Sequence, residues 1–316
     1  MKYVIPGGTG QVGTLLARAL RARGEDVVIL SRGGRSDARV VRWDGRTPGS
    51  WASEIDGADV VINLAGRSVN CRYTGANVRA ILDSRVDSTR AVGQAIAASL
   101  RPPRVWLQMS TATIYAHRFD APNDEATGIL GGEEPDVPGY WRFSVDVAKA
   151  WERTQEEAAT PRTRKVALRT SMVASPDRGG VFAMLLGLTR SGLGGAIAGG
   201  RQFVSFIHEH DFVRAVDFLT AHEGITGPVN VTAPTPLAQR DFMAALRAAW
   251  GTRVGLPATR WMVEIGAFLL STDTELVLKS RRVVPTRLLD AGFRFQEPEW
   301  PAAARELVDR WRGGAR

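Results

Sequence analysis

A single cysteine, Cys71, in 316 residues excludes an internal disulfide and any metal cage built from cysteines, and it fits a reducing compartment. Lysine is almost as scarce: of 41 basic residues only four are lysine, namely Lys2, Lys149, Lys165 and Lys279. The arginines are scattered, with no basic tract, zinc-finger spacing or aromatic RNA-binding signature. The net charge of +8 is therefore read as favouring phosphorylated ligands and solubility, not a nucleic-acid partner. No apolar segment precedes a cleavage site in MKYVIPGGTG. The most apolar later stretch, WMVEIGAFLL, carries Glu264 and is too short to cross a bilayer. The expectation is a cytoplasmic protein without membrane or nucleic-acid partners. Its substrate is a small molecule that the sequence does not name, and the oligomeric state is equally open.

What is present is an alternation. Apolar runs KYVI, DVVIL, RVVRW, ADVVINLAG, RVWLQMS, KVALRTS and PVNVTA read as seven strands. Helical patterns lie between them, such as QVGTLLARALRAR, with Val12, Leu15, Leu16, Ala19 and Leu20 at helical spacing, and the stretch from Asn77 to Ala98. Strands apolar throughout, alternating with helices, predict an α/β protein: a Rossmann-type doubly wound parallel sheet. Residues 1–171 and 205–234 are assigned to that domain. Residues 172–204 and 235–316 are assigned to a smaller, mostly helical substrate region containing RDFMAALRAAW, RWMVEIGAFLL and ELVDRWR. The glycine-rich segment GLTRSGLGGAIAGGRQ reads as an ordered loop, and the loop around Phe182–Arg201, together with the C-terminal helices, is expected to close over the ligand site.

GGTGQVG follows the first strand directly and opens the first helix. Gly7, Gly10 and Gly13 have the spacing of a dinucleotide turn, with Gly8, Thr9, Gln11 and Val12 between them. Glycines there let backbone N–H groups approach a pyrophosphate, and the helix N-terminus adds partial positive charge. An acid at the end of the second strand would hold a ribose 2′-hydroxyl, whereas arginine accommodates a 2′-phosphate. The sequence offers Ser31 and Arg32, then Arg35, so NADP(H) is expected ahead of NAD(H). Asp44 is placed to accept from the adenine amino group, or else is a solvated loop carboxylate. Leu64, Ala65 and Gly66 end the fourth strand, where small residues admit a cofactor close to the backbone; Ser110, Thr170 and Ser171 stand at the ends of later strands.

GGTGQVG, VVINLAG and STATIYA resemble the extended short-chain dehydrogenase/reductases, the group of nucleotide-sugar epimerases and dehydratases. ILDSRVDSTRAV, WERTQEEA, ALRTSMVASPDRGG, GRQFVSFIHEHD and VVPTRLLDAGFRF narrow the likeness to an atypical subfamily of epimerase-family proteins with its own C-terminal region. The resemblance implies a Ser/Thr, a Tyr and a Lys four residues later, the lysine lowering the tyrosine pKa. The chain departs from that pattern: aligned on Trp151-Glu152, Ser144 stands at the tyrosine position and Ala148 at the lysine position. Tyr140 and Lys149 are nine residues apart and cannot share a helix face. Phe143, Val147 and Trp151 are expected to pack that helix on the sheet. Thr111 and Ser110 match the hydroxyl that polarises substrate, and Tyr115 is a candidate replacement acid. Arg85 falls where ordinary members carry asparagine and faces either cofactor, acidic substrate or a nearby aspartate. His208, Glu209, His210 and Asp211 suggest a metal, but no further ligand segment accompanies them; they read as a strand leading into a helix capped by Asp211, with no metal expected. Two functional readings follow: an oxidoreductase or epimerase-type enzyme with altered acid–base groups, and a non-catalytic NADP(H)-binding sensor or interaction protein.

Overall fold

The computed structural model describes residues 1–33, 39–135, 137–259, 262 and 274–314. Its central sheet is built from β1 (Lys2–Pro6), β2 (Asp26–Ser31), β3 (Val40–Arg42), β4 (Val60–Asn63), β5 (Val105–Thr111), β6 (Arg164–Thr170) and, after β7 (Met172–Ala174), β8 (Phe203–Val204) and β9 (Phe206–His208), β10 (Gly227–Val231). The order is β10-β6-β5-β4-β1-β2-β3 and every pairing is parallel. Successive side chains of a strand face opposite ways. Tyr3, Ile5, Ile29, Val60, Ile62, Leu107 and Leu168 thus enter one core layer, and Val4, Val28, Leu30, Val61 and Trp106 the other. Full burial of each such side chain stabilises by about 1.5–3 kcal/mol, which is why these strands read as unbroken apolar runs.

Helices α1 (Gln11–Ala22), α2 (Gly75–Ala98), α3 (Trp141–Glu156), α4 (Val181–Arg190), α5 (Glu209–Ala221) and α6 (Gln239–Trp250) complete the main framework. Leu15, Leu16 and Leu20 of α1 and Phe212, Val216 and Leu219 of α5 cover the first layer; Ala91, Val92, Ala95 and Ile96 of α2 cover the second. Val147 and Trp151 of α3 are buried as expected, but Phe143 is only partly covered and meets Tyr73 edge-on with ring centroids 5.4 Å apart.

A separate core holds the second lobe. Phe182 and Leu186 of α4 and Phe242, Met243 and Leu246 of α6 pack on Trp300, Leu307 and Val308 of the C-terminal helix Trp300–Gly313. Phe242 and Trp300 stack at 3.9 Å, and the indole N–H of Trp300 donates to the Phe242 carbonyl at 2.8 Å. Phe206 and Ala233 join this core although the sequence places them with the sheet domain. The glycine-rich stretch is not all loop: its first residues finish α4, whose Leu185 and Leu186 bury against this lobe, and β7 pairs with β9 in a small separate sheet. The helix expected over RWMVEIGAFLL falls, apart from Met262, outside the described residues.

Candidate functional site

The strand order reverses between β1 and β4, the place where open parallel sheets bind ligands. The glycine turn fills that point. Gly7 has φ +75°, and a Cβ there would lie 2.7 Å from the Ala65 backbone; a Cβ on Gly13 would lie 2.5 Å from Gly8. Gly10 differs: its φ is −73° and a Cβ would meet nothing nearer than the Gly7 carbonyl at 3.6 Å. Backbone packing therefore explains Gly7 and Gly13 but not Gly10. The first turn of α1 has neither a side-chain cap nor an acidic residue, so its N–H groups and dipole favour an anion. Gln11 adds a buried Nε2 with no partner among the described residues.

Two cavities lie at the carboxyl ends of the strands, and the larger includes this turn. One, of about 410 Å³, lies over the ends of β2 and β3 and is lined by Arg32, Arg42, Trp43, Asp44 and Trp51. Ser31 is buried, and its hydroxyl lies 3.2 Å from that of Thr9, while Arg32 is exposed. Asp44 does not hold out a free carboxylate: it accepts from the Thr47 hydroxyl and from the Thr47 and Arg46 N–H groups, which draw its pKa down to about 2. Arg35 lies outside the described residues.

The larger cavity, about 570 Å³, begins at Gly7, Gly10, Gln11, Val12 and Gly13, passes Leu64, Gly66, Ser110, Thr111, Thr170 and Ser171, and ends against the second lobe. Gly8, Thr9 and Ala65, expected in the site, support the turn without lining this cavity. Val181, Met184 and Leu185 of α4 and Phe242 and Met243 of α6 make its far wall apolar. Arg85 lines it too, its guanidinium 4.8 Å above the Trp151 ring and donating to the Arg67 and Ile81 carbonyls. Gly66 is small for that reason, since a Cβ would come 3.2 Å from the Arg85 guanidinium carbon. Among the described residues three cationic side chains, Arg85, Lys279 and Arg281, line the cavity and no carboxylate does.

The candidate acids separate. Thr111 lines the cavity, and its oxygen accepts the Thr113 N–H at 3.2 Å. Ser110 spends its hydrogen on Glu152 at 2.6 Å. Tyr115 is 2 % exposed and does not line the cavity. Its hydroxyl donates to Asn230 at 2.9 Å and accepts from Arg169 at 2.9 Å, and burial raises its pKa. It belongs to a structural network in which Arg169 grips Glu152 with two bonds, at 2.8 and 2.9 Å, and it has no proton placed for a ligand. Ser144 donates to Glu275, Ala148 is buried in a small core with Ala112, Ile114, Tyr115 and Val283, and Lys149 binds the Gly131 carbonyl at 2.9 Å, away from Tyr140, which meets Thr274 at 2.7 Å.

Sequence reasoning missed Glu275, Lys279 and Arg281, delivered from a distant segment. Lys279 is 2 % exposed, donates to the Thr113 carbonyl at 2.9 Å and lies 3.5 Å from Glu275. Arg281 donates to the Thr113 hydroxyl at 3.0 Å. The one signal available was that lysine is rare in this chain.

The histidine cluster also differs from expectation. His208, not Asp211, caps α5, its Nδ1 accepting the His210 N–H at 3.2 Å. Nε2 then carries the proton and donates to Glu306 at 2.9 Å. Asp211 instead accepts from the Gln296 and Glu297 N–H groups and from Arg214. The potential ligand atoms of His208, His210 and Glu306 lie within 4.8 Å of one another, but the Arg310 guanidinium is bonded to both His210 and Glu306. Among the described residues no helix is long and apolar enough to cross a membrane.

Comparison with known proteins meets this geometry. Residues 3–232 match the model of the NAD dependent epimerase/dehydratase family, and residues 258–307 match a domain of unknown function, DUF1731. The epimerase family protein SDR39U1 of Bos taurus is 30 % identical over 98 % of this chain and 100 % of its own. The crystal structure of human SDR39U1 (isoform 2) with NADPH superposes with a TM-score of 0.84 at 27 % identity, covering 98 % of this chain and 99 % of that one. A nucleoside-diphosphate sugar epimerase from Corynebacterium glutamicum gives 0.75 at 26 % identity, over 97 % of this chain and 58 % of that one. With the glycine turn at the switch point and a family match across most of its length, the chain belongs to the NAD-dependent epimerase/dehydratase family.

Proposed function

We propose that this protein binds NADP(H) along the switch point and acts as an oxidoreductase or epimerase-type enzyme on a small molecule held in the larger cavity. The carrying observation is continuity: one cavity runs from the glycine turn, past the Thr111 hydroxyl, to the second lobe. Pyrophosphate fits the open space at Gly10, the uncapped N-terminus of α1 and the unpartnered Gln11 amide. Arg32 would meet a 2′-phosphate, and the related human protein was crystallised with NADPH. The nicotinamide, when bound, supplies or accepts the hydride. The chain's part is to orient the substrate, polarise its oxygen through Thr111, and keep water out behind the apolar residues of α4 and α6.

Calorimetric titration with NADPH and NADH tests the first half, with tighter NADPH binding expected. Oxidation of NADPH in the presence of a panel of aldehydes and ketones tests the second. Absence of binding to either coenzyme overturns the reading. One observation favours a non-catalytic binding protein instead: Ser144 and Ala148 stand where the usual acid–base pair would be. NADPH binding without turnover on the whole panel is the outcome that reading expects.

A further inference from the structure

The space left by the absent Tyr/Lys pair is not bare. Ser144, at the tyrosine position, points its hydroxyl at Glu275, and Glu275 lies beside Lys279. Lys279 comes from the segment after the short helix Glu275–Leu278, yet its ammonium binds the Thr113 carbonyl, two residues beyond Thr111. It also lines the same cavity as Thr111 and the glycine turn. Resting on the reading above, we propose that Lys279 is the proton donor of this enzyme. Its substrate would be a carbonyl compound with an apolar body, seated between Lys279 and the side chains of Met184, Leu185, Phe242 and Met243.

The chemistry balances. The carbonyl carbon receives hydride from the reduced nicotinamide, and the C=O π pair moves to oxygen. That oxygen takes a proton from the Lys279 ammonium, giving an alcohol, and the neutral amine regains a proton from water. An ammonium does this near neutrality only if its pKa is brought toward the working pH, and burial lowers that of Lys279. Glu275 and Glu134 oppose the shift and Arg281 adds to it; His117 is held down partly by Lys279 itself. Glu275 keeps the ammonium in place without a close bidentate contact, at 3.5 Å. Apart from Gln239, whose amide is already bonded to the Ile197 N–H and the Gly195 carbonyl, the lining from α4 and α6 is apolar and offers nothing to a sugar diphosphate, while Lys279 and Arg281 meet at Thr113.

The scarcity of lysine makes the test clean. In protein labelled with 15N-lysine only four side-chain signals exist, and Lys279→Met assigns the one of interest. The Lys279 signal should titrate below the ordinary lysine value, and lower still in Glu275→Gln, where an opposing charge is lost. A donor bonded to the substrate oxygen must lie roughly 6–7 Å or less from the hydride carbon, given reacting atoms about 3–3.5 Å apart, so NADPH should also move that signal. With the carbonyl panel, Lys279→Met should lower kcat by about 10²–10⁴-fold and leave the Kd for NADPH within about threefold; wild-type kcat for reduction should fall as pH rises through the Lys279 pKa. An ordinary titration for Lys279, a signal indifferent to bound NADPH, or unchanged turnover in Lys279→Met each overturns the proposal. Failure of NADPH to bind at all instead sinks the functional reading on which it rests.

Discussion

Gly10 and Gly13 belong to one motif, but the structure gives them different duties, and an alanine at each separates the two. At Gly13 the added Cβ would lie 2.5–2.6 Å from the Gly8 backbone. Nothing there can rotate away, so overpacking of up to about 3 kcal/mol is expected. Alanine's better helix propensity returns at most about 1 kcal/mol. For a chain of this length, the net loss of roughly 2 kcal/mol corresponds to a melting temperature lower by about 3 °C. At Gly10, with φ −73° and open space at the Cβ position, the unfolded chain loses about 0.4–1 kcal/mol of entropy. That roughly offsets the poorer helix cap, and the melting temperature should stay within about 1 °C. Its methyl would instead stand where the pyrophosphate approaches. A penalty of about 1.4–3 kcal/mol there weakens NADPH binding roughly 10- to 150-fold. Thermal unfolding without coenzyme and calorimetry with NADPH read the two effects separately. If Gly10→Ala bound NADPH as wild type does, or if both variants lost stability together, the assignment of Gly10 to the ligand would be wrong.

Arg32→Ala should weaken NADPH by about 10- to 150-fold through loss of a charge-assisted pair worth roughly 1.5–3 kcal/mol, while NADH binding stays level; equal losses for both would place the 2′-phosphate elsewhere. Tyr115→Phe should cost about 1–3 kcal/mol of stability, because it leaves Asn230 and Arg169 short of a partner, with NADPH oxidation unaltered; a selective loss of turnover would restore Tyr115 as a catalytic candidate. Glu152→Gln breaks the buried pair with Arg169, whose guanidinium is held above its usual pKa by Glu152 and Tyr115 against the effect of burial. Denaturant unfolding should show a loss of about 3–5 kcal/mol. Asp87→Asn, at the far more exposed Arg90 pair, should cost no more than about 1 kcal/mol.

The sheet and the coenzyme end of the site were legible from residue order alone. Short β-branched runs such as VVIN, bounded by turns, point to strands covered on both faces, and a glycine turn between strand and helix points to a dinucleotide, because those features are local. The sequence's silence about the usual acid–base pair was equally informative: Ser144 and Ala148 are visible as residue types. What fills that gap is visible only in the folded chain. Tyr115, four residues from Thr111, turns out to be locked between Arg169 and Asn230, and Phe143 turns toward Tyr73 instead of the sheet. Lys279 lies 166 residues along the chain from Thr113, yet it binds the carbonyl of that residue. Such an encounter is set by the bonds that hold the Lys279 segment, among them Arg281 N–H to the Phe203 carbonyl, Ser280 N–H to His117 and Asn123 N–H to the Arg282 carbonyl, and no spacing in the sequence encodes it. Local pattern fixes which way a side chain faces along its own element; which distant charge it meets depends on the packing of the whole chain.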